Sequence, residues 1–393
     1  MRSHRSDRPG RRWSADVVVI GGGVIGCAAA AIMADRGASV ILVEGSAIGA
    51  GASGRNLGAI QHPFDSVLAP LYEESLSRYR ALADASEEAF TVGSAPAGLL
   101  LLHRDADAAA DQLARLRGRV PELAPELVTP EALTALEPSL APGPAAIRLA
   151  TGFPIPPASA TEAWADQAER RGAELRVGTP ARVEMGAGRA EAVSLDDGTR
   201  IAAGAVLVAA GPWSPALVDP GGTWRPIRPT YGVTVQLRLG AAAPRHVVEE
   251  DEVDVVNRAD AATARAGAAG SDLDEPPSLF SIASAGGIST LGSTFLPDEP
   301  DAATIEALLL RRAVAFLPAI AEAEIVGRRM CARPQSIDGR PFIGAVAGVE
   351  RLFVCAGHGP WGISTGPATA AMAARAVLDG TAPPPELAAS RAS

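Results

Sequence analysis

Gly21, Gly23 and Gly26 stand at G-x-G-x-x-G spacing directly after a β-branched run at 16–20, with Val24 and Ile25 in the variable places. This spacing permits a tight turn, lets the backbone approach a pyrophosphate, and seats that anion on the N-terminus of the following helix. The alanine-rich stretch 27–36 supplies the helix, and a second strand at 39–43 delivers Glu44, then Gly45. A carboxylate there accepts hydrogen bonds from an adenosine ribose and repels a 2′-phosphate, so NADP is disfavoured. A bare nicotinamide dinucleotide does not need two further glycine loops. One spans 49–58 with Ser53, Arg55 and Asn56; the other spans 357–366 with Gly357, His358, Gly359, Trp361, Gly362 and Ile363. Together they point to a longer, flavin-bearing ligand. The second loop opens a helix whose first amides would stabilise negative charge on the N1/O2 edge of a reduced flavin. Arg333 is a guanidinium suited to a bidentate grip on a carboxylate, or else to a structural pair with Asp338 or Glu324.

These residues need elements to hold them. Strand 16–20, helix 27–36 and strand 39–43 form a βαβ unit, the order that a dinucleotide fold requires. Helical spacing recurs at 65–83, 106–116, 130–136, 158–171 and 298–316, and strands are expected near Leu175, Val183 and Val193, with Asp197-Gly198 as a hairpin turn. The run 206–210 enters Gly211 and Trp213. A half-buried strand is expected at 231–239, and a last βα unit at 352–355 and 367–378. The simplest arrangement is an α/β fold: a discontinuous Rossmann-like nucleotide domain of residues 14–90, 148–222 and 325–393. A substrate domain of 91–147 and 223–324 is inserted into it. Residues 1–13 are expected to be a disordered extension rather than a twin-arginine export signal, and 260–277 a mobile surface loop.

The 35 basic residues of the 393-residue chain are all arginine, against 45 acidic ones. A net charge of -10 argues against a nucleic-acid partner, because phosphate backbones are held by cationic surface. The absence of lysine excludes Schiff-base, pyridoxal-phosphate and Walker-type chemistry. No apolar run is long enough to span a bilayer. Cys27, Cys331 and Cys355 are too few and too scattered for a disulfide framework, which fits the cytoplasm. No metal site is expected.

The loops, the run 206–214 (VLVAAGPWS), Arg333-Pro-Gln-Ser-Ile-Asp338-Gly339-Arg-Pro341 and Gly357-His-Gly-Pro-Trp-Gly362-Ile together resemble the D-amino-acid oxidase superfamily of FAD enzymes, nearest its glycine oxidase and sarcosine oxidase branch. The resemblance covers nearly the whole chain. It implies an inserted antiparallel β-sheet domain roofing the substrate pocket. It also implies oxidation of the C–N bond of a small amino acid or N-substituted glycine, by hydride transfer to flavin N5 and hydrolysis of the imine to a 2-oxo acid. Arg333 matches the substrate-binding arginine of the R-P-x-x-x-D-G motif. Several members carry a second arginine where this chain has Pro360, so Tyr231 is the expected additional donor. Cys331 matches the position through which sarcosine oxidase-like members attach FAD covalently; the surrounding residues favour non-covalent FAD. Those members also activate dioxygen with a lysine, which leaves His358 or an arginine to supply positive charge here, and leaves dioxygen or another acceptor to reoxidise the flavin. The alternative is the catalytic subunit of a hetero-oligomeric amine, opine or hydroxyproline dehydrogenase that passes electrons to a partner or quinone. A homo-oligomer is equally compatible.

Overall fold

The computed structural model describes residues 13–86, 89–250 and 278–392. The segment 260–277 and positions 1–12 lie outside the described residues. Trp13, expected in the extension, instead begins the first strand, where the Arg176 guanidinium lies 3.7 Å from the centre of its ring.

The first strand, β1 (Trp13–Ile20), is buried continuously from Val17 to Ile20, as the centre of a parallel sheet covered on both faces must be. It lies between β2 (Val40–Glu44) and β11 (Arg200–Val208), parallel to both. Beyond β2 runs β8 (Glu174–Val177); beyond β11 runs β18 (Leu352–Ala356), both parallel to their neighbours, and β17 (Phe342–Ala345) closes that edge antiparallel. The hairpin of β9 (Ala181–Gly186) and β10 (Arg189–Leu195) hangs on the start of β11. The order β17-β18-β11-β1-β2-β8 therefore gathers both ends and the middle of the chain. One face is covered by α1 (Val24–Asp35), α2 (Ala69–Ala85), α5 (Ser159–Arg170) and the C-terminal helix, Gly362–Asp379. Ala28 to Ala31 of α1 meet Ala370, Ala373 and Ala374 of that helix in the same core; such small side chains let the two backbones approach closely.

The second sheet has the order β16-β12-β15-β14-β13-β4-β6-β5. Its strands are β4 (Leu99–His103), β5 (Glu126–Val128), β6 (Ala145–Leu149), β12 (Ile227–Arg238), β13 (Val247–Glu250), β14 (Ser278–Ala285), β15 (Ile288–Thr294) and β16 (Glu324–Ser336). All pairings are antiparallel except β13 with β4. One face packs on α7 (Ala302–Val314) through Ile305, Leu308 and Leu309. The other carries Leu99, Leu101, Val247 and Ala283 against Phe64 and against Leu113 and Leu116 of α3 (Ala106–Arg119). The short pair β3 (Ala59–Ile60) and β7 (Phe153–Pro154), with α4 (Pro130–Leu136) and α6 (Ser214–Val218), completes the elements used below.

The last helix, α8 (Gly362–Asp379), starts five residues before the expected Pro367. Proline inside a helix lacks the N–H that would bond the carbonyl four residues back. Here that carbonyl, Ile363 O, accepts the Tyr79 hydroxyl at 2.8 Å, and the Ala368 N–H turns to Ser75 Oγ at 3.1 Å. Two polar side chains of α2 thus repair the interruption and let the helix begin at the glycine loop.

Candidate active site

A cavity of about 700 Å³ runs from the ends of β1 and β2 to the start of α8 and the face of β16. Its first end is built from glycine. A Cβ on Gly26 would collide with the Gly21 carbonyl, one on Gly21 with the Ala209 carbonyl, and one on Gly22 would lie 2.9 Å from Glu44 Cβ. Glu44 Oε2 accepts the Gly22 N–H at 2.7 Å and Oε1 accepts the Ser46 N–H at 2.8 Å, which fixes the carboxylate at the cavity wall beside Gly45. Ser53 reaches back from the second glycine loop, and its Oγ accepts the Val24 N–H at 3.0 Å at the start of α1. Val24 and Gly26 stand behind the lining; Gly21, Gly23, Ile25 and Ser53 form it.

The loop at 49–58 binds the two sheets together. Asn56 donates to Ser53 O and Pro157 O and accepts from the Gly58 N–H, so its side chain knots the turn. Arg55 donates to Met330 O at 2.8 Å, and Arg329 donates in return to Gly54 O at 2.9 Å. Arg55 and Asn56 line the cavity with Gly211 and Trp213 opposite. Trp213 is 59% exposed and stands at the mouth.

At the far end, Arg333 lines both the large cavity and an adjoining one of about 90 Å³. Its guanidinium donates to Thr294 O at 2.7 Å and Ser293 Oγ at 2.6 Å, and lies 4.5 Å from the centre of the Phe295 ring. Gly232 on the paired strand makes room for it, since a Cβ there would strike the guanidinium. Burial lowers the Arg333 pKa, with Cys331 opposing, without removing the charge. Neither carboxylate considered as its structural partner is available: Asp338 pairs with Arg391, and Glu324 with Arg238.

Tyr231 lines neither cavity, and this corrects the expectation of a second carboxylate donor. In the β12–β16 register Thr230 faces Arg333 and Gly232 faces Cys331, so Tyr231, opposite Ala332, projects from the other face. It packs there against the cluster under α7. Cys331 shares the Arg333 face and lines the cavity, its Sγ 4.0 Å from Arg55 O.

His358 is 1% exposed. Thr369 Oγ1 donates to Gly366 O at 2.9 Å, so the imidazole Nε2–H donates to Thr369 Oγ1 at 2.8 Å, and Nδ1 stays an unprotonated acceptor with no partner among the described residues. Burial drives its pKa down to about 3. His358 is therefore neutral at physiological pH and does not supply the positive charge expected of it. Gly359, Gly362 and Ile363 line the cavity beside it, whereas Gly357 is set behind against Ile227, and Trp361 faces the smaller cavity. Cys27 and Cys355 are buried, and burial pushes the Cys355 thiol up to about 12.

The residues present fit FAD: a glycine cradle with no room for side chains, a fixed carboxylate at the end of β2, and a helix start at the opposite end of one continuous cavity. Sequence reasoning missed Gln61, Glu249, Ser293 and Phe295, all of which line the smaller cavity. They lie in no glycine motif, and only the pairing of distant strands brings them together. Among the described residues, no helix is long and apolar enough to cross a membrane, and no cluster of side chains could hold a metal.

Comparison with known proteins agrees with this geometry. The family model DAO, FAD dependent oxidoreductase, matches residues 16–376. The glycine oxidase of Geobacillus kaustophilus is 30% identical over 378 residues, covering 91% of this chain and 92% of that protein. The crystal structure of glycine oxidase from Geobacillus kaustophilus superposes with a TM-score of 0.78 at 25% identity, over 93% of this chain and 95% of that one. Iminodiacetate oxidase from Chelativorans sp. BNC1 has the same fold, with a TM-score of 0.78 at 21% identity, over 95% and 98%.

Proposed function

The chain belongs to the DAO family of FAD-dependent oxidoreductases that act on amino-acid C–N bonds, and from that premise we propose that its substrate is a small amino acid or N-substituted glycine held through its carboxylate by Arg333. The observation that carries this reading is a half-buried guanidinium at the junction of the two cavities, with no acidic partner taken from the R-P-x-x-x-D-G segment. Glycine oxidase and iminodiacetate oxidase, by their names, act on molecules of this class.

FAD, when bound, supplies the two-electron acceptor. Arg333 fixes the carboxylate of the substrate, and Ser293 and the Thr294 carbonyl fix Arg333, so the Cα–N bond is presented in one pose; positioning of this kind supplies much of such a reaction's rate. Leu57, Phe295 and Trp361 wall the smaller cavity with apolar surface. The amides of the first turn of α8, kept in place by Tyr79, would stabilise negative charge on the bound group. Neutral His358 takes no proton from the substrate near neutral pH. The imine leaves and is hydrolysed to a 2-oxo acid or glyoxylate.

We include in this proposal non-covalent FAD, a cytoplasmic location, and the division into an FAD-binding unit (14–90, 148–222, 325–393) and a substrate-binding unit (91–147, 223–324), with β16 contributing to the second sheet by its pairing. The test is product chemistry: amines are incubated with the purified yellow protein, and 2-oxo acid or glyoxylate is trapped as a hydrazone. Formation from one class of amino acid supports the reading, and no product from any of them sinks it. A second reading, that electrons go to a partner subunit or quinone rather than dioxygen, is favoured by the lack of any lysine. It predicts slow recovery of flavin colour when air is admitted.

A further inference from the structure

We propose that Glu249 holds the ammonium end of the substrate, so that the site selects small zwitterionic amino acids gripped at both poles. This rests on the reading that Arg333 holds the carboxylate. Glu249 lies on β13 and is 7% exposed. On its face of the sheet Val247, Leu99, Leu101 and Ala283 are apolar neighbours. In register it stands directly opposite Ser281 of β14, which stands opposite Gly292 of β15. Facing residues of paired strands share one side of a sheet, so Glu249, Ser281 and the bare Gly292 form a row across the sheet, of which Glu249 and Ser281 line the cavity. From β16, outside that row, the Arg333 side chain crosses Gly232 of β12 and donates to Ser293 Oγ, next in sequence to Gly292. Glu249, Ser281, Ser293 and Arg333 all line the cavity of about 90 Å³.

The span fits the ligand. Two strand spacings, roughly 10 Å, separate the β13 backbone at Glu249 from the β15 backbone at Gly292, whose neighbour Ser293 Arg333 contacts, a span on the scale of a small amino acid held at both ends. A side chain on Gly292 would stand 3.3 Å from Ser281 Oγ and 3.6 Å from Leu57 Cδ1, so glycine keeps the space between the poles open. Gln61 Nε2 donates to Glu249 Oε1 at 2.8 Å and orients the carboxylate. With Leu57, Leu279 and Phe295 as walls, a carboxylate at one end and a guanidinium at the other favour opposite charges on one small molecule.

The test uses two ligands of one shape on the FAD-loaded protein. 2-Aminoisobutyrate has no Cα–H and cannot be oxidised; trimethylacetate replaces its ammonium by a methyl group. Binding is measured by calorimetry. The wild type should prefer 2-aminoisobutyrate by about tenfold or more, the worth of a charge-assisted hydrogen bond. Glu249→Gln should erase that preference while leaving trimethylacetate affinity unchanged. An undiminished preference in Glu249→Gln, or equal weakening of both ligands, overturns the proposal. Should that variant fail to retain FAD, Gln61→Ala is judged by the same rule. If the two ligands bind the wild type equally while amines still yield product, the role of Glu249 fails alone. If neither binds and no amine is oxidised, the underlying reading fails and takes this proposal with it.

Discussion

Arg333 and His358 line one cavity, and burial lowers the pKa of both but leaves them in opposite charge states. The guanidinium keeps its charge because its pKa starts so far above neutrality, whereas the imidazole, taken down to about 3, is neutral. The unfolded chain protonates His358 near 6.5 and the folded chain resists, so stability is full above that pH and is lost as pH falls towards 3, by at most about 1.4 kcal/mol per pH unit. His62, also lowered by burial with Glu122 opposing, adds to the same slope. His358→Asn should therefore flatten the fall of the unfolding midpoint between pH 6.5 and pH 4, and an unchanged slope would show that the buried imidazole is not its source. Cys331 allows a sharper test. Denatured protein should carry the mass of the bare chain, with all flavin released; a flavin-sized increment that disappears in Cys331→Ser would establish covalent attachment instead. Residue types in motifs were legible from the sequence, Arg333 and Glu44 above all. The sequence alone misplaces Tyr231, because a one-residue alternation decides which face it occupies, and only the pairing of β12 with β16 fixes that register.

The helix α8 shows how an element holds a site. Its first turn lines the large cavity although Pro367 interrupts its bonding, because Tyr79 and Ser75 of α2 replace the lost partners. Tyr79→Phe leaves the buried Ile363 carbonyl unsatisfied, which costs about 1–3 kcal/mol. We expect a lowered melting point together with weaker FAD binding, measured by the fluorescence of flavin released on dilution; a melting point that drops while FAD affinity holds would show that the first turn is not what Tyr79 secures. The sequence placed this helix at Pro367, since proline marks a start in local terms. Its true beginning depends on side chains nearly 300 positions earlier in the chain. The βαβ unit, by contrast, was readable to within a few residues because everything that fixes it is local.

At the scale of the whole molecule, the loop at 49–58 and β16 lock the two sheets through Arg55 and Arg329, and the smaller cavity lies where the sheets meet. The parallel sheet could be read from its apolar runs and glycine loops. The eight-stranded roof could not, because its strands come from widely separated segments and its cavity residues, Gln61 and Glu249 among them, have no motif of their own. Amine oxidation with Arg333 as the carboxylate anchor is the central proposal. It is tested most directly by anaerobic titration of the yellow protein with glycine, sarcosine, other amino acids and opines, following the visible flavin band, in the wild type and in Arg333→Met. One amine class should bleach the wild-type flavin, and the variant, still yellow, should need about 100-fold more of it. A wild-type flavin that no amine bleaches, or a variant bleached at the same concentrations, would contradict the account.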